Sequence, residues 1–319
     1  MDKTLENKKQ TIQTDKSIVV LYHAHCPDGL AGAWVSKQHF DESAIYVPVK
    51  RGEGFPDILN LENKEIYVID FSFTVDEIKE VESKCKKFVI IDHHISSQEE
   101  VESAHNYVFD LDHAGCYLAW EYFYPDMPVP LLLQYISEGD IFKYRLADHE
   151  NYMPAIYGRE LSFENIDILN DMMNSEEGRE KLKGESLLLK NYEKKILAVS
   201  LDSVHMIELE GVVMPAVNVC LPIDERSDLL HMIYTQYPPV AMSYRWDDGQ
   251  WKVSLRSNGD FDCTIIATKY GGGGHKGSAG FAVAGDMPLP FAKVSPGLTP
   301  SANTFTPTPT LPQGEGATQ

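Results

Sequence analysis

Between residues 18 and 111 the chain repeats one construction: a short apolar run, rich in β-branched residues, ends on an acid or a histidine. The clearest case is Val89-Ile90-Ile91 running into Asp92-His93-His94. A run that is apolar at every position fits a strand buried on both faces, the hallmark of a parallel sheet. Strands are expected over Ile18 to Tyr22, Ala44 to Lys50, Glu65 to Ile69, Lys87 to Ile91 and Tyr107 to Leu111. Helices are expected between them, over Leu30 to Phe40, from the capping-box sequence Thr74-Val75-Asp76-Glu77 through Cys85, and over Tyr117 to Tyr124. Strand alternating with helix implies right-handed βαβ units. In such sheets ligands bind outside the carboxyl ends of the strands. His23, Asp70 and His93 are then expected on one edge, although 70 positions separate the first from the last.

The remainder divides by pattern. Residues 1–16 are polar and charged and are read as a disordered lead-in; residues 17–160 form the first domain. A charged helical connector follows over residues 161–200. A smaller α/β domain with a mixed sheet is expected over residues 201–287, with strands over Val212 to Val219, Val240 to Tyr244 and Trp251 to Arg256 and a helix over Arg226 to Tyr237. Residues 288–319, rich in Pro, Thr, Ser and Gly, have no helical or strand period and are read as a disordered tail.

Charge limits the partners. The formal net charge is -20, so a broad basic face for duplex DNA is not expected, while a short or small anionic substrate held through metal remains compatible. The five cysteines are scattered and form no Cys-x-x-Cys pair, which fits a reducing compartment and no disulfide framework or structural zinc. No apolar run approaches the ~18 residues that span a bilayer. A cytoplasmic protein without membrane contact is therefore expected.

The chemistry-bearing residues gather where runs end. His23-Ala24-His25-Cys26-Pro27-Asp28-Gly29 follows the first strand, Asp70 the third, and Asp92-His93-His94 the fourth. Gly139-Asp140 closes a helical stretch, either as an ordinary helix end or as a last carboxylate of a cluster. His113 is read as a surface histidine. Imidazole and carboxylate donors without thiolate suit Mn²⁺, with Mg²⁺, Co²⁺ or Zn²⁺ fitting the same set. So many donors exceed the needs of one ion. Two ions about 3.5–4 Å apart would use them and activate a water for phosphoester hydrolysis. No P-loop and no Gly-x-Ser-x-Gly occurs. In the second domain, Arg256 offers a planar fork for phosphate or is simply a strand-end arginine. Gly271 through Gly274, followed by His275, suggests close backbone approach to a ligand or else a flexible loop.

In their order and spacing these blocks, together with Ala279-Gly280-Phe281, resemble the DHH/DHHA1 phosphoesterases over about residues 17 to 285. That superfamily includes RecJ-like exonucleases, nano-RNases, cyclic-dinucleotide phosphodiesterases and related phosphatases. The resemblance implies a DHH catalytic domain followed by a DHHA1 substrate-binding domain, with substrate held in the cleft between them. It implies that Asp70 and Asp140 bridge two metals, with His23, Asp28 and His93 as further ligands. His94 would face the scissile phosphate and Asp92 would orient its neighbours. Arg256, Gly273, Gly274 and His275 would grip phosphate. Relatives often carry two aspartates in the first block; here Asp28 stands alone, and His25, near the position of the other acid, is the candidate replacement ligand. The activity so implied is metal-dependent hydrolysis of short oligonucleotides or small nucleotide phosphodiesters. The alternatives are a phosphatase of the phosphoadenosine phosphate or polyphosphate type, or an inactive nucleotide-binding sensor. A homodimer is left open.

Overall fold

The computed structural model describes residues 11–294, in two compact units that divide at Leu189 and Lys190. The first unit contains β1 (Thr11–Ile12), β2 (Ile18–His23), α1 (Pro27–Phe40), β3 (Ala44–Val49), β4 (Asp57–Ile58), β5 (Glu65–Ile69), α2 (Val75–Glu82), β6 (Lys87–Asp92), α3 (Gln98–Glu102) and β7 (Tyr107–Phe109). The helices α4 (Gly115–Phe123), α5 (Leu131–Asp140), α6 (His149–Tyr157), α7 (Phe163–Met173) and the start of α8 (Glu176–Leu201) complete it.

The strands β3-β2-β5-β6-β7 form a five-stranded sheet, parallel throughout. It has a hydrophobic core on each face. Val20, Ile69 and Ile91 pack on one side with Trp34, Ala119 and Leu133. Leu21, Val68 and Ile90 pack on the other with Ile78 and Val101. Double burial is why the strand sequences are apolar at successive positions rather than alternating. The capping box at Thr74 is formed, with Thr74 Oγ1 accepting from Glu77 N and the Glu77 carboxylate accepting from Thr74 N.

The second unit begins in α8 and contains β8 (His205–Leu209), β9 (Val212–Asn218), α9 (Ile223–Gln236), β10 (Val240–Asp247), β11 (Gln250–Ser257), α10 (Thr264–Ala267), β12 (Gly273–His275), β13 (Ser278–Ala284) and β14 (Ala292–Lys293). Its sheet runs β12-β13-β11-β10-β9-β8-β14. β9 and β10 pair in parallel and the other pairs are antiparallel, so the sheet is mixed as expected. Among the described residues, no helix is long and apolar enough to cross a membrane.

Three boundaries differ from the sequence reading. The lead-in expected through residue 16 is ordered from Thr11: β1 pairs with β4, Ile12 is buried, and Lys64 Nζ donates to the carbonyls of Thr14 and Lys16 at 2.8 and 2.6 Å; residues 1–10 lie outside the described residues. The tail expected from residue 288 contributes β14, which pairs with β8, while Leu289 and Phe291 pack on the second unit's core; residues 295–319 lie outside the described residues. The connector expected over residues 161–200 is not a separate element. Ile166, Leu169, Met173 and Leu182 belong to the first unit's core, whereas Leu197 and Leu201 pack in the second unit.

Candidate metal centre and anion-binding face

The loops after β2, β5 and β6 leave the sheet on its carboxyl edge, and their acids and histidines meet there. Asp70 is fully buried and has a left-handed backbone (φ 68°), with its amide held by the Ile91 carbonyl at 2.9 Å. Its Oδ2 lies 3.2 Å from His23 Nδ1, and its Oδ1 3.2 Å from His93 Nε2. His93 Nε2 is also 3.2 Å from Asp140 Oδ2, at the end of α5, and 3.8 Å from Asp28 Oδ2. Elements far apart in sequence thus place five of the expected residues around one point.

Asp92 plays a different part. Its Oδ1 accepts from His93 N at 2.8 Å and lies 2.7 Å from His94 Nδ1, fixing the ring of His94. Its Oδ2 is buried with no partner. An orphaned carboxylate oxygen is costly unless a cation or water satisfies it. Donor atoms of Asp70, Asp92, His93 and His94 form one group within 4.8 Å of one another; Asp28, His93 and Asp140 form a second, and His23, Cys26 and Asp70 a third. Carboxylates and imidazoles crowded in this way fit a divalent cation. Asp28 does double duty: its Oδ2 and Oδ1 accept from the amides of Gly115 and Cys116 at 2.8 and 2.9 Å, so it also closes the start of α4.

Electrostatics follow from the crowding. Burial opposes charge on His93, but its hydrogen bond to Asp70 and the carboxylates of Asp28, Asp70 and Asp140 outweigh that and push it up to about 9. Burial also works against the Asp70 anion, yet hydrogen bonds from His23 and His93 hold this carboxyl below its usual range. Asp28 and Asp140 go the other way, raised by burial and by the Asp70 charge.

Two expectations in the first block are corrected. His25 is exposed, sits in a left-handed turn (φ 59°) and belongs to none of the donor groups. It lines a hollow of about 370 Å³ with Tyr22, Cys26, Lys50 and Glu53. The turn at His25 directs the next residue, Cys26, to the donors instead, so the set includes a thiol that the sequence reading omitted. His113 is a surface residue, bonded to Asp110 at 2.7 Å and stacked on Tyr117.

In the second unit, Arg256 is half-buried rather than an exposed strand end. Its Nη2 donates to Ser227 Oγ at 3.2 Å. It pairs across strands with Ala241, which packs against α9, and Arg245 lies four residues further along β10 on that same face. Arg226, near the start of α9, is buried with no partner for its Nε. Burial, then the charges of Arg245 and Arg256, lower its pKa. Arg245 is paired with Asp247 at 3.2 Å, and the charges of the three arginines act on one another, which suits this face to an anion.

The glycine run owes most of its composition to strand pairing. A Cβ on Gly272 would stand 2.1 Å from the Gly280 carbonyl oxygen, and one on Gly274 (φ 140°) 2.4 Å from that of Ser278. What the backbone approaches closely is therefore β13. Gly273 has open space around it, and His275 is exposed beside it. Gly272→Ala is expected to detach β12 and cost about 1–3 kcal/mol, whereas Gly273→Ala should unfold like the wild type. Thermal melts of the two variants check this; equal melting would contradict it.

Residues 228–290 match the DHHA1 domain family. An uncharacterized protein of Acanthamoeba polyphaga mimivirus is 28% identical over 309 residues, spanning 90% of this chain and 72% of that protein. Among solved structures, the chain is similar to a pGpG-specific phosphodiesterase from Vibrio cholerae (12% identity, TM-score 0.48, 84% of this chain and 94% of that one). It is also similar to an exonuclease RecJ bound to manganese (14% identity, TM-score 0.44, 83% of this chain and 86% of that one). The chain thus carries a DHHA1 domain at residues 228–290, with the Asp92-His93-His94 triplet at the edge of the first unit's parallel sheet.

Proposed function

We propose that this protein is a metal-dependent phosphoesterase that hydrolyses short oligonucleotides or small nucleotide phosphodiesters. The observation that carries the reading is the convergence of His23, Asp28, Asp70, His93 and Asp140, with the orphaned oxygen of Asp92, at one sheet edge. Asp70 and His93 each belong to two of the three donor groups, which favours a pair of ions over one. Mn²⁺ suits the carboxylate and imidazole donors, and Mg²⁺ or Co²⁺ fits the same set. Bound there, divalent ions supply Lewis-acid activation of the phosphoester and of the attacking water.

The chain's own residues supply orientation. Asp92 holds Nδ1 of His94, which leaves Nε2 of that ring to face the scissile phosphate. The Arg256 face of the second unit grips a phosphate of the substrate, with Gly273 and His275 as further contacts. Purified protein given Mn²⁺ and a labelled dinucleotide should release mononucleotides. Absence of turnover on dinucleotides, cyclic dinucleotides, bisphosphonucleosides and polyphosphate, with several metals, would remove the reading.

Arg256→Ala should raise KM by about tenfold or more, the equivalent of one lost charge-assisted hydrogen bond, with kcat little changed. Steady-state kinetics on the best substrate of that panel decides it. An unchanged KM would place Arg256 outside the substrate's reach.

A further inference from the structure

We propose that Cys26 Sγ is a ligand in the metal centre, bound alongside His23 and Asp70, so that this chain carries one soft donor in an otherwise nitrogen and oxygen set. The proposal rests on the reading that the cluster holds a divalent cation. The geometry comes first. Ligand atoms of His23, Cys26 and Asp70 lie within 4.8 Å of one another, and His23 Nδ1 is 3.2 Å from Asp70 Oδ2.

Cys26 has a modest local role: its Sγ approaches the Gly29 backbone in the first turn of α1, and the residue also lines the hollow beside His25. Cys26 is the N-cap residue of α1, where Ser, Thr, Asp or Asn would bond the first helical amides. Its side chain makes no capping hydrogen bond. Pro27, at the start of the helix, has no amide hydrogen to offer. The thiol lies within reach of the Asp70 carboxylate and of His23. A second, independent pointer to a cation is Asp92 Oδ2. That oxygen is fully buried and unpartnered, and its residue belongs to a donor group that also contains Asp70, the neighbour of Cys26.

The remaining cysteines do not compete. Cys116 is buried with Sγ against the Leu133 carbonyl at 3.7 Å, Cys263 is buried in the second unit, and neither these nor Cys85 or Cys220 falls in a donor group among the described residues. On binding, the S–H bond is replaced by a sulfur–metal bond and the proton leaves to solvent, so one proton appears per thiolate ligated. Sulfur favours softer ions, so the centre should prefer Co²⁺, Zn²⁺ or Cd²⁺ over Mg²⁺ more than an all-oxygen and nitrogen site would.

The test is a Co²⁺ titration of the metal-free full chain carrying Cys220→Ser, which removes the exposed thiol as a source of stray signal. Binding is read from visible d–d bands, and thiolate ligation from a near-ultraviolet sulfur-to-cobalt charge-transfer band. Both are expected in this background. Adding Cys26→Ser should remove the charge-transfer band, keep the d–d bands, and weaken Cd²⁺ binding by about tenfold or more, with Mn²⁺ affinity changed much less. Visible bands without a charge-transfer band, or a charge-transfer band that survives Cys26→Ser, would overturn the ligand assignment while leaving the metal centre standing. No visible bands at all would overturn both. If Cys26→Ser does not fold, the background protein still decides, because a ¹¹³Cd resonance at the position of an oxygen and nitrogen site excludes sulfur ligation and one shifted towards thiolate supports it.

Discussion

Asp70→Asn is expected to lower turnover by on the order of a thousandfold, the equivalent of several kcal/mol of lost charge stabilisation, while the protein stays folded. Asp70 is the common member of two donor groups, and its two oxygens separately face His23 and His93. Asparagine keeps the shape and the hydrogen-bonding capacity but removes the anion. It also tolerates the left-handed backbone found at this position (φ 68°). Alanine is a poorer probe there, since a side chain without a polar end adds about 1–2 kcal/mol of left-handed strain. It would also leave both imidazoles without their partner, mixing a stability loss into the activity loss. The measurement is kcat with saturating Mn²⁺, alongside a thermal melt. Activity within tenfold of wild type would deny Asp70 its role, and a collapsed melt would show that the carboxylate holds the fold rather than the chemistry.

The parallel sheet was legible because burial on both faces writes itself into the sequence as unbroken apolar runs, and Ile66 to Ile69 or Val89 to Ile91 leave no alternative. The last strand is shorter than the run suggests. Asp110 turns the chain by accepting from the amide of Asp112, which ends β7 at Phe109. α6 was not foreseen: Pro154 lies inside it, and its approach passes through left-handed residues at Phe142, Tyr144 and Asp148. β1 and β14 have two residues each, too few to carry a period. They exist through pairing with distant strands, which no local pattern records.

At the site, the donors at strand ends could be found because strand polarity fixes which edge they share. The choice between His25 and Cys26 could not. It depends on one left-handed residue that rotates the loop, and histidine outranks cysteine as a candidate only while the backbone is unknown. Cysteines were sorted by their spacing from one another, which says nothing about one thiol beside unlike donors. The glycine run signalled close approach correctly, but for Gly272 and Gly274 the partner is the chain's own β13, while Gly271 and Gly273 have open space around them.

Metal binding is expected to strengthen steeply with pH, because the metal-free centre holds a proton that a cation must displace. His93 is pushed up to about 9 by the surrounding carboxylates despite its burial, so near neutrality its ring is an imidazolium. Coordination through Nε2 requires the neutral ring. Well below pH 9, each unit of acidity therefore costs a factor of ten in apparent affinity, and the rise from pH 7 to pH 9 amounts to about fiftyfold. Asp28 and Asp140, raised by burial and the Asp70 charge, act in the same direction and can only steepen the slope. Asp70, held below its usual range, adds no proton in this window. Mn²⁺ affinity, read by competition with a chromophoric chelator from about pH 6.5 to 9, should rise with a slope of at least about one proton per centre. Calorimetry in two buffers of different ionisation enthalpy should show this proton released, in addition to the one from Cys26, and the Cys26→Ser protein should keep the His93 share. A flat affinity profile with no proton release would mean that His93 is not displaced by the cation, and the carboxylates around it would then be holding an ion pair rather than a metal.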